Sequence, residues 1–109
     1  MTVSELSSVC GFSPLALCDG EREIKGCYIG DLLSWVMGRA SADDAWITIM
    51  SNQNVIAVAS LADISCVILA EGVVPAEDII LLAKEKGVNL LSSAVPAYET
   101  AIKLFSVLK

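Results

Sequence analysis

The second half of the chain alternates short apolar runs with helical segments, and this alternation constrains the fold more than any other feature. Apolar runs rich in β-forming side chains occupy residues 45–50, 66–70 and 88–91. Helix-forming segments follow them and begin near Asn54, Pro75 and Pro96. Strands that alternate with helices are typical of right-handed βαβ units, and continuously apolar strands indicate a mostly parallel sheet covered on both faces.

The sequence signals that predict the helices differ in strength. The helix that opens at Pro75 is the clearest, because acidic side chains lie in its first turn, lysines lie in its last turn, and Gly87 stands just past its end. Residues 55–64 could form a strand or a helix, but their alanine content and the spacing of Leu61 and Ile64 favour a helix.

The N-terminal half is interpreted as a short helix, two strands and a second helix. These elements are predicted at residues 3–9, 14–18, 24–29 and 32–39. Asp31 has the side chain expected of a helix N-cap, and the buried face of the second helix would hold Leu32, Leu33, Val36 and Met37. The two strands should extend the sheet, with an antiparallel arrangement at an edge as one option.

A last helix starts at Pro96, and its apolar side chains predict how it packs. Tyr98, Ile102 and Phe105 recur at i, i+4 and i+7, the spacing of a stripe that faces a core. No internal repeat or linker interrupts the 109 residues, so we expect residues 1–109 to form a single domain.

Composition and charge narrow the function classes. The chain is 55% hydrophobic and 18% charged, which fits either buried parallel strands or an apolar surface covered by another subunit. Its net charge of −6 and its scattered lysines and arginines argue against nucleic acid and anionic membranes as partners. The chain begins without a basic leader and has no apolar stretch long enough to span a bilayer, which predicts a cytoplasmic protein.

The sequence lacks the residue patterns of common metal sites and enzymes. It has no histidine, and its cysteines lack C-x-x-C spacing, so we expect buried, reduced thiols, no metal and no cofactor. Phosphate-loop, dinucleotide-binding and G-x-S-x-G motifs are also missing, which predicts a chain that is not an enzyme. Asp43-Asp44 fits a solvated turn, while Trp35 and Trp46 fit a core or an interface. The four cysteines are Cys10, Cys18, Cys27 and Cys66.

Parallel strands predict where a ligand would bind. The loops after the three apolar runs, at residues 51–54, 71–75 and 92–96, should meet at the carboxyl edge of the sheet, and Gly30-Asp31 could join them. The helices that follow would aim their N-termini at the same place, which suits an anionic or polar group. Alternatively, these polar residues only cap helices and form turns. The candidate ligand site comprises Ser51, Asn52, Gln53, Glu71, Gly72, Ser92 and Ser93.

The chain resembles the DRTGG domain family from Gly30 to its end. The segments that carry the resemblance are residues 30–33, 46–49, 58–61, 67–72, 87–92 and 96–100. Members of this family occur alone or fused to CBS-domain pyrophosphatases and phosphotransacetylases, and they are related to the N-terminal domain of HPr kinase/phosphorylase. The resemblance implies a three-layer α/β/α sandwich that serves as a regulatory or dimerisation unit.

The motif that names the family is degenerate in this chain. Its first part would fall on Asn52-Gln53 and its second on Ala70-Glu71-Gly72, so only the final glycine matches. The missing arginine and the added carboxylate of Glu71 disfavour an anionic ligand and make a protein partner more plausible. We therefore predict a non-catalytic, homodimeric regulatory or protein-interaction module; the alternative is a sensor for a small ligand such as a nucleotide.

Overall fold

Five helices and five strands form the fold of residues 1–108, the part of the chain that the computed structural model describes. The helices are α1 (Val3–Cys10), α2 (Leu33–Arg39), α3 (Gln53–Leu61), α4 (Glu77–Lys86) and α5 (Ala97–Val107). The strands are β1 (Ser13–Ala16), β2 (Gly26–Ile29), β3 (Asp44–Thr48), β4 (Cys66–Leu69) and β5 (Leu90–Ser92).

The strands form one mostly parallel sheet in the order β1-β5-β4-β3-β2. Strands β2 to β5 run parallel, and β1 pairs antiparallel with β5 at one edge. Helices α1 and α5 pack on one face, while α2, α3 and α4 pack on the other. This arrangement confirms the prediction of an α/β fold with a three-layer α/β/α sandwich.

The alternation of side chains along the central strands explains why their sequences are continuously apolar. In β3, Ala45 and Ile47 face the layer of α1 and α5, whereas Trp46 faces the other layer. Each side of the strand is buried under helices, so neither set of positions can be polar without cost. Trp46 is fully buried and satisfies its ring N–H by donating to the Gly30 carbonyl oxygen at 2.9 Å.

Most predicted element boundaries shift by one to three residues. Strand β2 begins at Gly26, later than predicted, because the Ile24 backbone N–H donates to the Met1 carbonyl oxygen and not to the sheet. Helix α4 begins at Glu77, two residues after Pro75, since Ala76 is still extended. Strand β1 starts and ends earlier than predicted, and β5 starts later, at Leu90.

The predicted packing face of α5 is wrong. Tyr98, Ile102 and Phe105 are 77%, 47% and 84% exposed, whereas Thr100 and Leu104 are buried against the sheet. The helix has a second apolar stripe that includes two half-buried alanines, Ala97 and Ala101, and small side chains allow a helix to approach a sheet closely. Helix α5 therefore leaves its largest apolar side chains in solvent.

The predictions for α2, the cysteines and the acidic pair need similar corrections. In α2, Val36 is buried and Leu33 half-buried, but Leu32 and Met37 are exposed because this short helix touches the molecule through one narrow stripe. Cys10 and Cys66 are buried as predicted, whereas Cys18 and Cys27 lie on the exposed parts of the chain. Asp43 is half-buried against an arginine rather than freely solvated, and Trp35 is half exposed.

Candidate functional site

Two surfaces could bind a partner, and the first is the carboxyl edge of the sheet. The parallel strands bring the loops after β2, β3, β4 and β5 to this edge, as the sequence predicts for such a topology. The seven residues of the predicted ligand site lie in these loops or next to them. That they bind a ligand remains a prediction.

The loop after β3 ends in a helix cap. The Asn52 side-chain oxygen accepts a hydrogen bond from the Asn54 backbone N–H at 2.9 Å, which makes Asn52 the N-cap of α3. Asn52 and Gln53 are exposed, and Ser51 is half-buried. The amide nitrogen of Asn52 and the whole Gln53 side chain are thus the parts of this loop best placed to meet a ligand.

The loop after β4 makes a tight turn that is tied to the loop after β5. Glu71 and Gly72 both have left-handed backbone angles, with φ of 65° and 67°. Their N–H groups donate to the carbonyl oxygens of Val95 and Ser93 at 2.9 Å. A Glu71 carboxylate oxygen accepts from the Ala97 backbone N–H at 3.4 Å, so the N-terminus of α5 already holds an anionic group from its own chain.

The two serines after β5 differ in their accessibility. Ser92 is half-buried at the end of the strand, where it pairs with Leu69 and Ser13. Ser93 is buried, and its hydroxyl lies 2.7 Å from the Thr100 hydroxyl. Ser93 therefore joins the loop to α5 from inside, and only its neighbour can present a hydroxyl near the surface.

Asp31 has a role at this edge that the sequence analysis missed. It does not cap α2, whose N-cap position is Leu32 without a side-chain hydrogen bond. Instead, one Asp31 carboxylate oxygen accepts from the Thr48 hydroxyl at 2.7 Å and from the Ile49 N–H at 3.0 Å. The sequence places Gly30-Asp31 as a possible member of the edge, but it cannot reveal the contact with Thr48, which is distant along the chain. The edge thus carries two carboxylates, those of Asp31 and Glu71.

The second surface is an uncovered part of the sheet next to α5. Cys27 and Ile29 of β2 pair with Ala45 and Ile47 and so face the layer of α1 and α5. Ile29 is nevertheless half exposed, and Cys27 is also accessible to solvent, although neighbouring groups shield much of its thiol. The reason is that this layer has two helices where the opposite layer has three.

An apolar groove runs between β2 and α5. Its volume is about 330 Å³, and its lining includes the β2 residues Gly26, Cys27 and Ile29 and the α5 residues Ala101, Leu104 and Phe105. We call the α5–β2 face the surface formed by this groove together with the exposed side chains of Tyr98 and Ile102. None of the seven residues predicted for ligand binding lines the groove.

Burial reduces the nucleophilic character of three thiols, those of Cys10, Cys27 and Cys66. Burial raises the pKa of the Cys27 thiol, which borders the groove, to about 12, and the nearby charge of Asp44 contributes. Burial likewise raises the pKa of Cys66 to about 12 and that of Cys10 above its ordinary value. Since the thiolate is the reactive form, these three groups are poor nucleophiles at neutral pH. Among residues 1–108, no group of three or more cysteine or acidic side chains is arranged to hold a metal ion.

These features define a small α/β sandwich domain with a loop-lined sheet edge and an open apolar face. The chain belongs to the DRTGG domain family, whose profile matches residues 19–107. This match confirms the resemblance found in the sequence. Within the described residues, the helices are too short or too polar to cross a bilayer.

A solved structure has a similar fold. It contains the CBS and DRTGG domains of the regulatory region of Clostridium perfringens pyrophosphatase, complexed with the activator diadenosine tetraphosphate. The TM-score is 0.76 at 13% sequence identity, and the match covers 98% of this chain and 47% of that chain. At this identity the similarity concerns the fold alone, and this chain spans about half the length of its neighbour. A comparison with curated proteins finds no match.

Proposed function

We propose that this chain is a non-catalytic regulatory module that works by binding protein, and that its first partner is a second copy of itself. The observation that carries this proposal is the α5–β2 face, where the largely exposed Phe105 borders an apolar groove and Tyr98, two turns earlier on the same helix, is also largely exposed. Contiguous exposed apolar surface on a small domain is typical of an interaction site.

A related domain lies in the regulatory part of an enzyme, which supports a regulatory role. The solved neighbour is described as the regulatory region of an enzyme, and we extend that role to this chain because it belongs to the same family. The side chains themselves also favour binding over catalysis. The buried hydroxyl of Ser93 is engaged by Thr100, and burial disfavours the thiolate form of three cysteines. We place the module in the cytoplasm, where its free cysteines would stay reduced.

Measuring the oligomeric state of the purified chain tests the proposal. Light scattering coupled to gel filtration at micromolar concentration should give about twice the chain mass of 11.5 kDa. Sedimentation equilibrium over a range of concentrations would then provide the dissociation constant. A single species of the chain mass at all concentrations up to millimolar would contradict the homodimer.

A second candidate is a sensor that binds a polar ligand at the carboxyl edge of the sheet. The observation that favours it is the complex of the solved neighbour with diadenosine tetraphosphate. At this edge Asp31 and Glu71 oppose a bare phosphate, and Glu71 occupies the start of α5. A ligand that presents hydroxyl or amino groups to these carboxylates would fit better than inorganic phosphate.

Amide chemical shifts recorded during titration with diadenosine tetraphosphate, ATP and phosphate test the sensor. Binding should shift the amide signals of residues 51–54, 71–74 and 92–95, and phosphate should cause the smallest shifts. Asn52→Ser retains a helix-capping oxygen but removes the amide, so it should weaken binding without unfolding α3. Shifts confined to other regions, or an unchanged affinity in Asn52→Ser and Ser92→Ala, would rule out this placement.

A further inference from the structure

We propose that two copies of this chain associate through their α5–β2 faces, with Phe105 of each copy seated in the groove of the other. This inference rests on the proposed function and names the surface and the anchor residue. An interface of this kind is isologous, because the same patch serves both partners.

The α5–β2 face carries both halves of a self-complementary contact. Phe105 is 84% exposed at the border of a groove of about 330 Å³. A projecting ring and a groove on one face are what a two-fold contact requires, since each copy must supply the part that the other receives. Aromatic anchors that fill pockets are also the usual source of binding energy in protein interfaces.

The chemistry of the groove selects a protein side chain over a small polar ligand. Its volume is within the range of ligand sites, but such sites hold a few placed polar groups that orient the ligand. Here the lining side chains are aliphatic or aromatic apart from the thiol of Cys27. An apolar ring can enter this groove without leaving a hydrogen-bonding group unpaired.

The distribution of charge allows a second copy to approach at this face. The chain has a net charge of −6, so two copies repel each other over most of their surfaces. The residues lining the groove include no carboxylate, ammonium or guanidinium group. On the polar flank of α5, Glu99 and Lys103 have opposite charges, so that helix adds little repulsion.

The exposed aromatic rings supply a substantial part of the area that a stable dimer buries. Given their exposed fractions, Tyr98 and Phe105 present about 300 Å² per copy, or about 600 Å² for two copies. A specific interface buries about 1,200–2,000 Å² in total, so four aromatic rings would supply a third to a half of it. Cys27, Ile29 and Ile102 are positioned to add to this area.

Other exposed apolar side chains make weaker candidates. Trp35 is half exposed, but the Arg39 guanidinium carbon lies 3.7 Å from its ring centroid and covers one face. Leu61 and Leu81 lie on different helices of the opposite layer, and neither lines the apolar groove.

A matched pair of charge insertions tests the surface. Phe105→Glu and Leu81→Glu each add one negative charge to an exposed helical position, and Leu81 is 55% exposed in α4. We expect Phe105→Glu to raise the dimer dissociation constant at least 100-fold and Leu81→Glu to change it less than threefold, by sedimentation equilibrium. Circular dichroism should show that both variants remain folded, since neither position is buried.

Alkylation of Cys27 gives a second measurement that does not depend on mass. The raised pKa of Cys27 makes its alkylation slow, so its rate is compared only between proteins, and in the wild-type dimer it should react at least fivefold more slowly than in Phe105→Glu. Cys18, whose sulfur lies near α4 carbonyl oxygens, should react equally in both. Peptide mass spectrometry resolves the two thiols. If the wild-type chain is monomeric, the proposed homodimer itself fails. If it is dimeric and Phe105→Glu changes neither the mass nor the Cys27 rate, the homodimer stands and this surface is wrong.

Discussion

At the scale of single residues, the Thr48 hydroxyl organises the carboxyl edge of the sheet. Thr48 is buried; its hydroxyl donates to the Asp31 carboxylate at 2.7 Å and accepts from the Met50 N–H at 3.2 Å. Thr48→Val keeps the shape but removes both bonds, one of them to a charged group. We expect the free energy of unfolding to fall by about 2 kcal/mol.

Urea denaturation with Thr48→Ser as the control checks this expectation. Serine keeps the hydroxyl and loses one methyl group, so it should cost about 1 kcal/mol and less than valine does. If Thr48→Val is as stable as the wild-type protein, the contact between β3 and the loop after β2 contributes nothing to folding. The order of the two variants separates loss of the hydroxyl from loss of packing.

At the scale of elements, the rotation of α5 about its axis decides which side chains are core. Leu104 is 1% exposed, whereas its neighbour Phe105 projects into solvent. Leu104→Ala should therefore lower the free energy of unfolding by about 2–5 kcal/mol. Phe105→Ala should change it by less than about 0.5 kcal/mol when measured at a concentration low enough to keep the chain monomeric.

The opposite ranking of these two alanine variants in urea denaturation would support the face predicted from the sequence. It would mean that α5 packs through Tyr98, Ile102 and Phe105. The stripe of Tyr98, Ile102 and Phe105 would then be buried in the core and could not contact a second copy.

Two glycines in different elements should respond in opposite ways to alanine. Gly72 has a φ of 67°, in the turn after β4, so Gly72→Ala should cost about 1–2 kcal/mol. Gly38 lies inside α2, and no atom stands within 4 Å of an added Cβ. Gly38→Ala should therefore raise the free energy of unfolding by about 0.5–1 kcal/mol. Thermal denaturation shifts of the same sign in both variants would contradict the turn geometry.

At the scale of the whole molecule, Arg22 joins three separate parts of the chain. Its guanidinium donates to the carboxylates of Asp43 and Asp63 at 2.9 and 2.8 Å, so the segment before β2 is tied to the start of β3 and the end of α3. The hydrogen bond from Arg22 and its charge hold the pKa of Asp43 below the ordinary value.

Because the pKa of Asp43 is lowered in the folded state, the contribution of its ion pair with Arg22 to stability depends on pH. It is present above the unfolded pKa of about 3.9 and is lost as the pH falls through the lower pKa of the folded state. Asp43→Asn removes the charge, and asparagine tolerates the left-handed φ of 69° at this position. The melting temperature of the variant should be below that of the wild type at pH 7, and the gap should narrow towards pH 2. A gap that is constant across this range would exclude the ion pair as its cause.

Much of the architecture was predictable because it depends on local chemistry. Buried strands such as residues 66–70 are apolar throughout, and Gly87 closes α4 in a left-handed cap as its sequence suggests. The parallel arrangement of the strands also predicted that the loops of the candidate ligand site meet at one edge of the sheet. The hydrogen bonds that these loops form could not be predicted, because the partners of Ser93 and Asp31 come from other elements.

The sequence by itself determined the order and type of the central elements, the three-layer fold and a high content of apolar side chains, which fitted either buried strands or a covered surface. Only the tertiary structure decided which of these apolar side chains are exposed. Helix α5 has two apolar stripes, and periodicity cannot distinguish them, because either would satisfy a helix packed on one side. Helix α5 packs through Leu104, Ala97 and Ala101, because the small alanine side chains let the helix lie close to β3 and β4. That choice, with β2 at an edge beneath a layer of only two helices, exposes Phe105 and creates the groove beside it.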